Sequence, residues 1–149
     1  MKVVSGDSAF QQGIADYVQD RLPAIAGRGR FKPFRAFGFV VGGKIVGGFV
    51  LTQYSGFDAH LTIYAENPRF VGRHALTELY RWAFDDLGLV RLTCRVDPNN
   101  KAAMRAAIKT GFLREGLLRK GYDGTNDAVV LGMLRGDCVW LKEKMHGHS

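Results

Sequence analysis

Nowhere in the 149 residues do apolar side chains run on for the roughly 18 to 20 positions that a bilayer-spanning helix needs. The opening stretch MKVVSGDSAFQQG also lacks the apolar core of a secretory signal, so a cytoplasmic protein with no membrane partner is expected. Cysteine is scarce: Cys94 and Cys138 supply neither a disulfide framework nor a metal-ligand spacing. Cys94 stands in a strand-like run and reads as a small buried apolar residue rather than a reactive thiol. The four histidines are scattered, with His146 and His148 in the last residues, so no metal site is expected. Linkers, internal repeats and low-complexity tracts are missing too, and residues 1–149 are expected to form a single domain able to bury its own core.

Acidic residues are also in short supply. Asp and Glu number 14 against 21 Lys and Arg, giving a formal charge of +7 and a pI near 9.7. Such a balance favours anionic partners: nucleic acid, acidic protein segments or a phosphorylated cofactor.

The sequence is rich in alternating signals for strand and helix. Met1–Ser5 reads as a short strand, and Asp7 or Ser8 is placed to cap a helix in which Phe10, Ile14, Tyr17, Val18 and Leu22 recur at helical spacing until Pro23. Ala24–Arg35 is a glycine-containing basic loop. FGFVV and KIVGGFVL, joined at Gly42-Gly43, carry a hairpin signal. Phe57–Glu66 alternates, with Asp58, His60, Thr62, Tyr64 and Glu66 on its polar side. A helix is expected from about Gly72 to Leu87, a strand over Leu89–Val96, and a helix through Ala102, Ala103, Ala106, Ala107 and Ile108. Strands around Phe112–Tyr122 and Ala128–Leu134 follow, separated by the turn Asp123–Asn126. The order implies a mixed α/β sheet with helices on its faces.

Two constellations carry chemistry. At Tyr64–Arg73 an alternating strand runs through AENPRFVGRH directly into a helix, whose N-terminus offers unpaired N–H groups and partial positive charge to a pyrophosphate. Arg69 and Arg73 flank those donors; an ordinary turn with two solvated arginines is the alternative. The second constellation is NNKAAMRAAIKTGFLREGLLRKGY after the strand LVRLTCRV. Asn100, Gly111-Phe112, Glu115-Gly116 and Arg119 follow one another there as they do in the GNAT acyltransferases. From about Gly38 to Leu134 the chain resembles that superfamily, in particular its Rim-type branch, and more weakly short acetyltransferase-like phage proteins.

The resemblance implies a mostly antiparallel sheet flanked by helices and splayed between its central strands, with acetyl-coenzyme A as cosubstrate. It also implies a primary amine as acceptor, acetylated by direct attack. Ala65 would contribute a backbone N–H to the thioester oxygen; Arg69, Phe70, Val71, Gly72, Arg73 and His74 would hold the pyrophosphate, and Asn100 and Arg105 the rest of the cofactor. The family's phosphate loop reads Gln or Arg, two residues, Gly, one residue, then Gly or Ala. Here those positions carry Asn67, Phe70 and Gly72, or Arg69, Gly72 and His74 in the alternative frame. The proton-donor positions of the family fall on Ala107 and Ala103, leaving Tyr122, Tyr64 or water to serve the leaving thiolate.

Deprotonating an acceptor ammonium calls for a carboxylate or imidazole nearby, and Glu66 is the first candidate, with His60 and Asp58 on the same strand face. Arg28, Arg30, Lys32 and Arg35, interleaved with Phe31 and Phe34, suit an anionic acceptor or nucleic acid; a solvated loop with buried phenylalanines is the alternative. Catalysis as a monomer or homodimer stands against a second reading, a decayed acetyltransferase scaffold that binds nucleic acid or an acidic partner.

Overall fold

The computed structural model describes residues 1–22 and 29–141. Its residues group into two compact units, Met1–Ser55 with Ala59–Leu76, and Gly56–Asp58 with Thr77–Ser149. The architecture is mixed α/β, mostly antiparallel strands flanked by helices, in agreement with the sequence reading.

In the first unit, strands β1 (Lys2–Val4), β2 (Arg35–Val41), β3 (Lys44–Thr52) and β4 (Asp58–Ala65) pair in that order, each antiparallel to the next. Helix α1 (Ser8–Arg21) is capped by Asp7, whose carboxylate accepts the Phe10 N–H at 2.9 Å. The two-residue hairpin turns at Gly42 and Gly43, both with positive φ (57° and 78°), the geometry that side chains with a Cβ resist. Gly38 and Gly48 pair across β2 and β3, and Ile14 of α1 sits over them. Ile14, Ala15, Val18, Ala36 and Val50 form the core beneath, with Tyr17, Phe31 and Tyr64 packed at its margin. Each large aliphatic side chain so buried contributes about 1.5–3 kcal/mol. Phe10, expected on the apolar stripe, is exposed, and Gln19 is buried in its stead. Gln19 is satisfied there, accepting from Phe31 N–H and donating to Gly29 C=O, both at 2.9 Å.

The second unit pairs β5 (Arg91–Val96) with β7 (Ala128–Leu134), and β7 with the edge strand β6 (Leu113–Leu118). Helix α2 (Arg73–Tyr80) starts in the first unit and continues as a π-helix over Arg81–Asp86, its wide turn closed by Leu87 N–H donating to Trp82 C=O. Tyr80 is buried, its hydroxyl 3.0 Å from Thr110 Oγ1. Helix α3 (Lys101–Thr110) forms where the sequence placed it, with Asn100 and Gly111 at its ends; of its residues only Thr110 is buried, and Ile108 is exposed. Cys94 and Cys138 are both buried free thiols.

Candidate active site

The end of β4 is set by its register with β3. Ala65 stands opposite Gly47, and Glu66 N–H donates to Val46 C=O at 2.9 Å. That bond marks Ala65–Gly47 as a non-hydrogen-bonded pair, so the Ala65 N–H points away from β3. Val46 is the extra residue of a bulge, since Phe39 pairs with Gly47 and Val40 with Ile45. A Cβ on Gly47 would run into the Tyr64 carbonyl oxygen and stand 2.8 Å from Ala65 Cα.

Glu66, exposed at the end of this strand, is held from α1. Tyr17 Oη donates to Glu66 Oε1 at 2.8 Å. The Arg21 guanidinium lies 3.5 Å from the centre of the Tyr17 ring, and Tyr64 meets that ring edge-on with centroids 6.0 Å apart. Burial first, then the bond to Glu66, pushes the Tyr17 phenol up to about 12, so at neutral pH it stays a donor. Sequence reasoning placed Tyr17 on the apolar stripe of α1 and missed its hydroxyl; the spacing alone gave no sign that the ring's polar tip reaches β4.

His60 does not join this cluster. It is paired opposite Thr52, six residues from Glu66 along extended chain, and lies roughly 20 Å away. The same face of a strand is thus shared without a shared site. Asp58 is engaged elsewhere: Thr93 Oγ1 lies 3.0 and 3.1 Å from its carboxylate oxygens, and Arg91 Nε lies 3.6 Å away while also bonding Thr93.

The loop after Glu66 closes on itself. Asn67 Oδ1 accepts from Arg69 N–H, and a 3-10 turn over Pro68–Phe70 engages the Phe70 and Val71 N–H groups with the carbonyls of Asn67 and Pro68. The backbone donors of Arg69, Phe70 and Val71 are therefore not the anion cradle the sequence suggested. The first backbone bond of α2 runs from Leu76 N–H to Gly72 C=O at 3.1 Å, so the N–H groups of Gly72 to Ala75 precede any intrahelical acceptor. Arg69, Arg73 and His74 are exposed beside them.

In the second unit, Asn100 caps α3, accepting from Ala103 N–H at 3.1 Å through Oδ1 and leaving Nδ2 to donate. Arg105 is exposed on the same helix. Burial, with Asp97 and Asp123 nearby, raises the Tyr122 phenol. Among the basic-loop residues, Arg28 lies outside the described residues. Arg30 is ion-paired to Asp20, Lys32 is exposed, and Phe34 stacks on Tyr54 rather than entering the core. Among the described residues, no helix is long and apolar enough to cross a membrane, and no group of three or more His, Cys, Asp or Glu is placed to hold a metal.

Residues 9–113 match the acetyltransferase (GNAT) domain family. The chain belongs to that family. Among solved structures, it is similar to a protein from T. thermophilus assigned as an acetyltransferase (TM-score 0.62, 24% identity, covering 76% of this chain and 65% of that one). It is also similar to mutant forms of the spermidine/spermine N-acetyltransferase SpeG from Vibrio cholerae (TM-score 0.70, 14% identity, covering 91% and 95%). At such identities the likeness concerns the fold, and the chain spans just under two-thirds of the T. thermophilus protein's length. No curated protein sequence matches significantly.

GNAT domains generally use acetyl-coenzyme A, whose diphosphate asks for clustered N–H donors and positive charge. The first turn of α2 with Arg69 and Arg73 has that chemistry, and a Cβ at Gly72 would meet only the Arg69 carbonyl oxygen, at 3.4 Å. The donor set fits the group, shifted toward the helix from the loop.

Proposed function

We propose that the chain, acting as one GNAT domain over residues 1–149, is an N-acetyltransferase that passes an acetyl group from acetyl-coenzyme A directly to a primary amine. The observation that carries this reading is the Glu66 carboxylate, held by Tyr17 one residue beyond the outward-turned Ala65 N–H. When bound, the cosubstrate supplies the acetyl group as an activated thioester. Glu66 takes the proton of the acceptor ammonium on Oε2, while Tyr17 fixes Oε1. Ala65 N–H, turned away from β3, would donate to the thioester oxygen where charge develops. The N–H groups of Gly72, Arg73, His74 and Ala75 hold the diphosphate, with Arg69 and Arg73 beside them and Phe70 and Val71 shaping the approach. By the family resemblance, Asn100 Nδ2 would hold the pantetheine arm, Arg105 a phosphate, and Tyr122, whose phenol burial keeps protonated, would supply the proton of the leaving thiol. His60, roughly 20 Å from Glu66, has no part in this step.

The Rim-type motif residues Asn100, Gly111, Glu115 and Arg119 support placing the chain nearest that branch. Its acceptor differs from the polyamines of SpeG: a chain of formal charge +7 repels a polycation and attracts an amine borne on an anionic carrier. Arg30, Lys32 and Phe34, with Arg28, are the residues we assign to that carrier. A second reading, a GNAT-fold binding protein without turnover, is favoured by the self-closed 67–71 loop and by Ala103 and Ala107 at the usual donor positions.

Calorimetric titration with acetyl-coenzyme A, followed by mass-spectrometric detection of acetylated amines, separates the two. Micromolar binding and transfer, with Glu66→Gln lowering turnover about 10² to 10⁴-fold at unchanged cofactor affinity, supports the enzyme. Binding without transfer to any amine supports the second reading, and no binding at millimolar cofactor removes the enzyme and leaves the second reading, a scaffold that contacts nucleic acid or an acidic partner. Gly72→Ala, which the local packing accepts, is expected to weaken cofactor binding and leave the fold intact.

A further inference from the structure

Two aromatic rings lie face to face on the surface of the first unit. Phe34 and Tyr54 have centroids 4.1 Å apart and planes 11° from parallel, and each keeps 41% of its surface exposed. They are not core residues that fall short of the core: Phe31, three positions earlier, is the ring of this loop that packs against the Ile14 cluster. The chain holds the pair in place from both sides. Gln12 Nε2 donates to Phe31 C=O at 2.8 Å, Gln19 brackets Gly29 and Phe31, and Phe34 N–H donates to Leu51 C=O at 2.8 Å. On the other side Gln53, immediately before Tyr54, adopts a left-handed conformation (φ 55°) that residues with a Cβ adopt at a cost. Beside Phe34 stand Lys32, exposed, and Arg30, exposed and balanced by Asp20.

We infer that this stack is a platform for nucleobases and that the face it occupies binds single-stranded nucleic acid. The inner faces of the two rings satisfy one another, and an outer face extends the stack to a flat base at the same spacing. Lys32 takes a backbone phosphate, while Arg30, already paired, contributes less. A duplex hides the faces of its bases, so a single strand is the form that fits. An acidic peptide answers the charge but leaves the rings without a role. This inference shares Arg30, Lys32 and Phe34 with the anionic carrier assigned above, but none of its side chains takes part in acetyl transfer at Glu66, and it holds whether or not that site turns over.

The test is fluorescence anisotropy on the intact chain without acetyl-coenzyme A, using a labelled twelve-nucleotide oligo-U, the same strand in duplex, and a poly-glutamate peptide. The expected result is tighter binding of the single strand than of either competitor. Phe34→Leu and Tyr54→Leu each lower that affinity roughly tenfold, and Tyr54→Trp retains it. Lys32→Ala lowers the slope of log affinity against log salt by about one. Circular dichroism checks that the leucine variants fold, and the tryptophan variant keeps the test decisive if one does not. Equal binding of all three probes, leucine variants that bind like the parent, or no binding of the single strand at low salt overturns the inference.

Discussion

The hydrogen bond from Tyr17 to Glu66 joins a helix to a strand end with a single hydroxyl, so deleting that oxygen tests positioning without emptying the site. Tyr17→Phe is expected to lower turnover a few-fold to tenfold, well short of the loss from Glu66→Gln, because the carboxylate remains but samples more orientations. The phenol also gives a pH signature. Its folded value of about 12 lies above the ordinary 10, so the folded protein retains the proton that the unfolded chain gives up. The stability this provides is complete below about pH 10 and is lost as pH rises toward 12. Denaturation measured across that interval should be steeper for the parent than for Tyr17→Phe. Asp7 as a helix cap was legible in the sequence because capping depends on a residue and its next three neighbours. Tyr17 was not, since its partner is 49 positions away. His60 was misplaced for the opposite reason: alternation says which face a side chain shares but not how far along the strand it lies.

Elements were read well where local chemistry decides them. The Gly42-Gly43 hairpin, the alternation of β4 and the cap of α3 at Asn100 all rest on short-range rules, and the structure follows them. Features that depend on packing escaped: the π-helical turn at Arg81–Asp86, the buried Gln19, and the exposure of Ile108 on α3. The phosphate loop was half legible. The strand–turn–helix between β4 and α2 forms as read, but the 3-10 turn that engages the Phe70 and Val71 N–H groups follows from the Asn67 side chain and leaves the first-turn N–H groups of α2, Gly72–Ala75, as the candidate donors. The close approach of β3 to β4 yields a prediction at this scale. Gly47→Ala forces a methyl group into Tyr64 C=O and Ala65 Cα, costing about 1–3 kcal/mol or more by overpacking. Chemical denaturation should show that loss. The Ala65 N–H is shifted by the same strain, so turnover should fall further than the loss of folded protein accounts for.

At the scale of the whole molecule, the two thiols report on opening. Burial pushes Cys94 up to about 12 and raises Cys138 as well, so neither offers appreciable thiolate near neutrality. Labelling by a disulfide reagent at pH 8 is expected to be slow, to follow the unfolding equilibrium in denaturant, and to accelerate for Gly47→Ala. Fast labelling of the native protein would show that Cys94 is more accessible than its burial indicates.

Charge is the other property of the molecule as a whole, and it is unevenly shared. Of the formal +7, five belong to Met1–Ser55 with Ala59–Leu76, where nine Lys and Arg face four Asp and Glu. That half also carries Glu66, the first turn of α2 and the basic loop. An acceptor approaching it meets a positive field that attracts an anionic carrier and repels a polycation, over a range of roughly 8 Å at physiological ionic strength. The sign of the salt effect therefore identifies the acceptor class. For an amine on an anionic carrier, kcat/KM for the acceptor should fall as salt rises, at saturating acetyl-coenzyme A. For spermidine it should stay level or rise, because salt then screens a repulsion. Lys32→Glu should shrink the salt dependence of the anionic acceptor more than Arg30→Ala does. Arg30 is already balanced by Asp20, and removing it exposes that carboxylate at the loop's edge. If spermidine is the faster substrate and its rate falls with salt, the acceptor is a polyamine and the basic loop does not select it.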